Sequence, residues 1–253
     1  MKKGLLATSL LASAIAISSW QAAAAKDWPM FGESVANTAN GTGETAISPA
    51  NVAKLKMKWV AKTGGDVSAR AAVVAGVVYF PDWGGNLWAL NAKTGKAIWH
   101  EQISSYGLPA KTVARASPAV INGILYIGTQ TDATMLAIDA ATGKLKWKTR
   151  VDTHPLALIT GSAAVTDGTL FIGVASSEET AAASATYKCC SFRGSVVALD
   201  ATSGKVKWKV FTAPEGYTGV AVWGSNPIVD TKRRLVYIGT GNNYSKPTTA
   251  VYA

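Results

Sequence analysis

The sequence predicts an all-β chain folded as a β-propeller of about four blades, the last of them incomplete. Three observations carry that prediction. A segment reading Ala-Leu/Ile-Asn/Asp, then Thr/Ser-Gly-Lys, then Trp occurs three times, at Ala89 to Trp99, Ala137 to Trp147 and Ala198 to Trp208. Its Trp residues fall 48 and then 61 positions apart, a spacing that accommodates four short strands per unit. Helical periodicity is almost absent beyond the first residues.

Residues 1–25 read as a secretory signal peptide. Lys2 and Lys3 make a positive start, 5–17 are apolar, and 22–25 are four alanines suited to cleavage. The apolar run is short for a membrane span. The remainder, 26–253, is expected to be a partial propeller with no membrane span after cleavage, exported to an oxidising, periplasmic compartment. Its blades are expected around 60–105, 113–151, 160–211 and 219–253. The chain carries 25 Lys and Arg against 15 Asp and Glu. One reading of that excess is a surface for an acidic partner such as a small electron carrier. Many of the lysines, however, stand at 144–148 and 205–209, where alternation sets Trp on one face and Lys on the other. That is the pattern of an outer strand guarded against edge pairing, and it gives no reason to expect nucleic acid.

Each unit opens on an apolar, β-rich run: 77–80, 124–127, 169–172 and 235–238, with Gly128, Gly173 and Gly239 following the last three. A second strand ends at Asn91, Asp139 or Asp200. A tight turn follows, because Gly after Asn or Asp tolerates the positive φ that such turns need. The Thr-Gly-Lys triplets lack the spacing of a phosphate loop. The recurring Trp is read as a packing residue between blades. In the third unit, 13 additional residues are assigned to a loop between Gly173 and Gly194 that carries Glu178, Glu179, Cys189 and Cys190. In the fourth unit the equivalent Trp falls near position 258, as far beyond Tyr237 as Trp147 lies beyond Tyr126. The chain therefore reads as part of a longer protein.

The repeat, the leader and the opening Asp27-Trp28-Pro29-Met30-Phe31-Gly32 resemble the quinoprotein alcohol dehydrogenases. Cys189-Cys190-Ser191-Phe192-Arg193-Gly194 and Thr240-Gly241-Asn242-Asn243-Tyr244 are similar to the polyvinyl-alcohol dehydrogenase-like members. The resemblance implies the N-terminal half of an eight-bladed propeller that holds pyrroloquinoline quinone (PQQ) and Ca²⁺. It places Glu178 and Asn242 on the Ca²⁺, with Glu179 as the one-residue alternative. Both are oxygen donors, as a hard cation requires. It places Trp223 on one face of the quinone, outside the phase of Trp99, Trp147 and Trp208. Arg115 and Thr160 are its polar anchors; a planar guanidinium suits carbonyl or carboxylate oxygens.

Adjacent cysteines are poorly placed for an ordinary disulfide. In an oxidising compartment they can still close an eight-membered ring, which in the family lies flat on the other quinone face. In better-known members that pair sits in an earlier loop. Free thiols or a local staple are the alternatives for Cys189 and Cys190. The family's general base, an Asp, is expected beyond Ala253. No Cys-x-x-Cys-His motif occurs, so electrons are expected to leave to a separate cytochrome c. His100 and His154 lack metal spacing; His154, before Pro155, reads as a turn residue. The implied activity is oxidation of a primary or secondary alcohol, polymeric ones such as polyvinyl alcohol included. Two rival expectations are a non-catalytic periplasmic scaffold of the outer-membrane assembly type and an inactive truncated product.

Overall fold

The computed structural model describes residues 26–224 and 226–244. The signal segment read over 1–25 and the end of the fourth unit, 245–253, lie outside the described residues. Four antiparallel sheets follow one another along the chain. The first holds β1 (Ala72–Val74), β2 (Val77–Pro81), β3 (Asn86–Asn91) and β4 (Ala97–Gln102). The second holds β5 (Ala119–Ile121), β6 (Ile124–Gly128), β7 (Thr134–Asp139) and β8 (Leu145–Arg150). After β9 (Ala157–Leu158) come β10 (Ala164–Thr166), β11 (Thr169–Ser176), β12 (Ser195–Asp200) and β13 (Val206–Phe211), with β9 pairing the far end of β11. The last sheet contains β14 (Ile228–Asp230) and β15 (Leu235–Tyr237). Apart from β9, strand order within each sheet is sequence order. Each sheet is thus a meander, the form of a propeller blade.

Turn chemistry explains why the units repeat. In the first three blades the opening hairpin closes with two residues, Ala75-Gly76, Asn122-Gly123 or Asp167-Gly168, all at positive φ. That is the twist a two-residue hairpin requires. The third hairpin of each blade is an Asx turn. The Asp139 carboxylate accepts the Thr142 N–H and hydroxyl at 3.0 and 2.9 Å, and Gly143 N–H donates to Asp139 O at 2.9 Å. Asn91 and Asp200 do the same in their blades.

The recurring Trp stitches one blade to the next. Trp99 Nε1–H donates to Ala140 O at 2.9 Å and Trp147 Nε1–H to Ala201 O at 3.0 Å. Their rings cover Gly143 and Gly204, where a Cβ has no room. Trp59 makes the same bond to Ala92 O at 3.0 Å, over Gly95. Trp59 was not singled out above, although Lys56-Met57-Lys58-Trp59 repeats the Lys-x-Lys-Trp of 144–147 and 205–208.

The blades also share cores. Leu125, Ile127, Leu136 and Ile138 pack with the first blade, while Tyr126, Met135 and Ala137 pack with Leu170, Ile172, Val197 and Leu199 of the third. Alternate side chains of one strand thus serve opposite neighbours. This is why β6 and β7 read as nearly continuous apolar runs. Each fully buried aliphatic contributes about 1.5–3 kcal/mol.

Two glycines set the spacing that matters for function. A side chain at Gly128 would collide with Ile159, and one at Gly173 with Val222. Because both are glycine, Ile159 N–H reaches Thr129 O at 2.9 Å and Val222 N–H reaches Val174 O at 3.1 Å. The residues next in sequence are Thr160 and Trp223.

Candidate functional site

Arg115, Thr160 and Trp223 occupy one phase of the repeat. Arg115-Ala116-Ser117-Pro118-Ala119-Val120, Thr160-Gly161-Ser162-Ala163-Ala164-Val165 and Trp223-Gly224-Ser225-Asn226-Pro227-Ile228 align at the entry to the innermost strand. The first blade supplies Ser68-Ala69-Arg70-Ala71-Ala72-Val73 at the same phase. Hydrogen bonds chain these entries together: Arg70 N–H donates to Ser117 Oγ, and Ser117 N–H to Ser162 Oγ, both at 2.9 Å. Consecutive blades are therefore held at fixed separation at this end.

The entries enclose a pocket of about 100 Å³ lined by Phe31, Ser68, Arg70, Arg115, Ser117, Thr160, Ser162 and Gly224, among others. Thr160 Oγ1 is buried there without a hydrogen-bond partner, an arrangement that costs about 1–3 kcal/mol unless a ligand fills it. The Arg115 side chain is exposed and forms no hydrogen bond or ion pair with any described residue. Arg70 is already committed: its Nη1 donates to Phe31 O at 2.7 Å and its guanidinium lies 4.6 Å over the Phe31 ring. Ser68 and Arg70 are pocket residues that the sequence reading missed. The four-fold phase of the repeat was the signal that could have found them.

The interrupting loop lies beside this end of the blades. After β11 the chain enters α1 (Glu178–Ala181), a single turn. Glu178 is fully buried. Its Oε1 accepts the Tyr187 hydroxyl at 2.9 Å, the Ser191 N–H at 2.6 Å and the Ser191 hydroxyl at 3.2 Å, and its Oε2 accepts the Phe192 N–H at 2.8 Å. Burial pushes the carboxyl pKa up, but the Ser191 and Phe192 N–H groups, the Tyr187 hydroxyl and His154 outweigh it and hold it below the usual range. Cys189 and Cys190 are joined as a vicinal disulfide, and the chain has no free cysteine.

Backbone bonds carry the loop to the fourth unit. Gly219 N–H donates to Phe192 O at 2.8 Å, Val220 N–H to Asn242 O at 2.6 Å, and Gly241 N–H to Ala221 O at 2.7 Å. The half-buried Trp223 packs its indole edge on Gly241. Asn242 is exposed. The structure thus brings the segments of Glu178, Cys189, Cys190, Trp223 and Asn242 onto one connected ladder, while Arg115 and Thr160 share a pocket with Gly224, next to Trp223. Glu179 is exposed, and the Tyr244 hydroxyl lies 3.5 Å from its Oε2. Burial, Glu179 and Glu178 together raise the Tyr244 pKa, so that phenol stays protonated.

His154 was read as a turn residue, and its N–H does bond Asp152 Oδ1 at 2.8 Å. Its ring does more, with Nε2 at 3.0 Å from Ser191 Oγ and the imidazole edge-on to Phe192 at 5.5 Å. The contact crosses 37 residues and no local pattern announces it.

The polar donors are of the kind PQQ takes: Thr160 has an unpaired buried hydroxyl and Arg115 an unpaired planar guanidinium, while Trp223, Cys189 and Cys190 lie outside the lining of that pocket. Glu178 Oε2 accepts a single N–H and Asn242 carries an amide oxygen, both donor types that Ca²⁺ takes, but no group of three or more His, Cys, Asp or Glu able to hold a metal occurs among the described residues.

Comparison with known proteins gives these features a context. A family model described as "Outer membrane protein assembly factor BamB" matches residues 32–250. A polyvinylalcohol dehydrogenase of Pseudomonas sp. is 34% identical over 235 residues, covering 87% of this chain and 36% of that protein. Another, from Sphingopyxis sp. (strain 113P3), is 35% identical over 218 residues, covering 79% and 33%. The solved quinohemoprotein alcohol dehydrogenase ADHIIG of Pseudomonas putida HK5 superposes with a TM-score of 0.71 at 26% identity, covering 86% of this chain and 35% of that one. The chain spans about a third of the length of these relatives. No helix among the described residues is long and apolar enough to cross a membrane. The chain belongs to the PQQ-repeat β-propeller family of that model, and most of its length is similar to about a third of the polyvinylalcohol dehydrogenases.

Proposed function

We propose that this chain forms part of the cofactor-holding propeller of a periplasmic, PQQ- and Ca²⁺-dependent alcohol dehydrogenase that passes electrons to a cytochrome c. The observation that carries the reading is the pocket in which the orphaned Thr160 hydroxyl and the unpaired Arg115 meet. When bound, PQQ supplies a two-electron acceptor and Ca²⁺ a Lewis acid on its carbonyl. The rest is done by this chain. Arg115 donates a fork of N–H groups to quinone oxygens and fixes their direction. Thr160 donates its free hydroxyl. Trp223 and the Cys189–Cys190 disulfide would cover the faces of the flat ring and exclude water from them. Glu178 and Asn242 are the proposed Ca²⁺ ligands. We assign no general base among the described residues. Secondary alcohols, polymeric ones included, are the proposed substrates, in line with the names of the matched relatives.

The test is a titration of the purified chain with PQQ, with and without Ca²⁺, reading quinone absorbance and indole fluorescence. Saturable binding that weakens in Arg115→Ala and Thr160→Val supports the reading. A chain that shows no saturable change sinks it and leaves the scaffold reading, which the family description favours. Dye-linked oxidation of polyvinyl alcohol by the whole reconstituted protein then tests the substrate. Activity unchanged after replacing both Glu178 and Asn242 removes the metal assignment.

A further inference from the structure

We infer that Glu178 is the positioning residue of the Cys189–Cys190 plate and shapes it in the free protein, before any cofactor or metal arrives. A carboxylate with no solvent exposure persists in the interior only where donors replace its water. Here all four donors come from one short stretch that brackets the disulfide. Tyr187 lies two residues before Cys189, Ser191 directly follows Cys190, and Phe192 comes next. Within 188–190 the one further hydrogen bond among described residues is Cys189 N–H to Tyr187 O at 3.1 Å. Remove the carboxylate and no other group among the described residues ties both ends of the plate to one point.

The direction of the surrounding bonds supports this role. His154 Nδ1 accepts the Leu156 N–H at 3.2 Å, which leaves the proton of a neutral ring on Nε2. That proton points to Ser191 Oγ at 3.0 Å, and the Ser191 hydroxyl donates onward to Glu178 Oε1. The chain of donation ends on Glu178. The imidazole then serves as a wall, edge-on to Phe192.

Two oxygens thus divide the work: Oε1 gathers the loop, and Oε2 holds Phe192 and keeps one lone pair. This role goes beyond the quinone reading and stands without it, so its test contains neither PQQ nor Ca²⁺. The purified chain in EDTA is treated with a phosphine reductant, and opening of Cys189–Cys190 is followed by thiol labelling and mass spectrometry. Glu178→Gln opens about tenfold faster than wild type, since it loses charge-assisted bonds to the loop. Tyr187→Phe and Ser191→Ala open several-fold faster, and Ser191→Thr, which keeps the hydroxyl, matches wild type. Hydrogen exchange quickens at Ser191 and Phe192 in Glu178→Gln while β11 and β12 keep their protection. Equal opening rates in folded Glu178→Gln and wild type overturn the inference, as does exchange that quickens evenly through all blades. If Glu178→Gln does not fold, wild-type opening in both Tyr187→Phe and Ser191→Ala overturns it instead. A failure of the PQQ titration leaves these outcomes untouched, so the two readings fall separately.

Discussion

Asp82 shows how single residues in this fold carry more than their position suggests. It is buried at the end of β2 and accepts hydrogen bonds from Gly64 N–H at 2.8 Å, Asn86 N–H at 3.0 Å and Trp88 Nε1–H at 2.8 Å. Burial raises its pKa, but the Trp88, Asn86 and Gly64 donors lower it further, so the net shift is downward. A depressed folded-state pKa contributes stability above the unfolded carboxylate value, and that contribution is lost as pH falls through the folded value. Asp82→Ala is therefore expected to cost about 3 kcal/mol near neutrality by orphaning four donors, the Asn86 side-chain amide included. Urea unfolding should show that difference shrinking as the solution is acidified below the ordinary Asp range. Thr160 predicts the opposite sign. Thr160→Val removes an unpaired buried hydroxyl, so the free chain should gain up to about 1 kcal/mol while PQQ binding weakens about tenfold. Thermal melts beside the quinone titration separate the two effects. Arg115, Thr160 and Trp223 came from the resemblance; the repeat phase they share is seen only once the strand entries are aligned. Tyr187, Ser191 and His154 were not legible, because a loop folding back on a buried carboxylate leaves no periodic trace.

At the scale of elements, the Asx turn and its covering Trp form one unit, and glycine is where they meet. Gly204 has φ 71°, and a Cβ there would come within 2.6 Å of the Trp147 ring. Gly123 has φ 75° with nothing within 4 Å. Gly123→Ala should therefore cost only the left-handed backbone penalty, about 1–2 kcal/mol. Gly204→Ala adds displacement of an indole that seals two blades, and should cost at least about 3 kcal/mol. Denaturant midpoints of the two variants test the comparison; equal losses would show that Trp147 does not hold the blades. The turns themselves were readable, since Asn or Asp, Gly and Trp recur at constant spacing. Trp59 escaped because its segment, outside any described strand, comes without the preceding Ala-Leu-Asp and Thr-Gly-Lys, so only the short Lys-x-Lys-Trp marks it. The lysines of the outer strands divide in a way composition hides. Lys148 Nζ caps Tyr106 O and Gly107 O at 2.9 and 2.7 Å, and Lys209 pairs with Asp152 at 2.6 Å. Part of the basic excess therefore stitches neighbouring blades together.

For the whole molecule, the shared cores make stability graded from the middle outward. Leu125, Ile127, Met135, Leu136, Ile138, Leu170 and Ile172 are all essentially inaccessible, and they belong to β6, β7 and β11, which have blades on either side. By contrast Leu55, Met57 and Val60 are exposed on a segment outside any described strand. The fourth sheet has two strands among the described residues, and Ile228, Leu235 and Tyr237 are exposed on it. Trp208 is 39% exposed and makes no stitch of the kind made by Trp59, Trp99 and Trp147 to a following blade among the described residues. Local opening is governed by how many apolar contacts must break. Amide exchange should therefore be slowest in β6, β7, β11 and β12, intermediate in β2 and β3, and fastest in 55–62 and in β14 and β15. Native-state exchange with peptide-level mass spectrometry checks the order. If β14 and β15 exchanged as slowly as β7, the stitches from blade to blade would not be what transmits stability along the chain. The proposed site straddles this gradient. Arg115 and Thr160 stand on the most secure blades, and Trp223 and Asn242 on the least, so ligand binding should slow exchange most in the 219–223 and 241–244 segments. Protection that rose first around β5 and β10 would mean that the polar anchors, rather than the Trp223 and Asn242 ladder, are what binding orders.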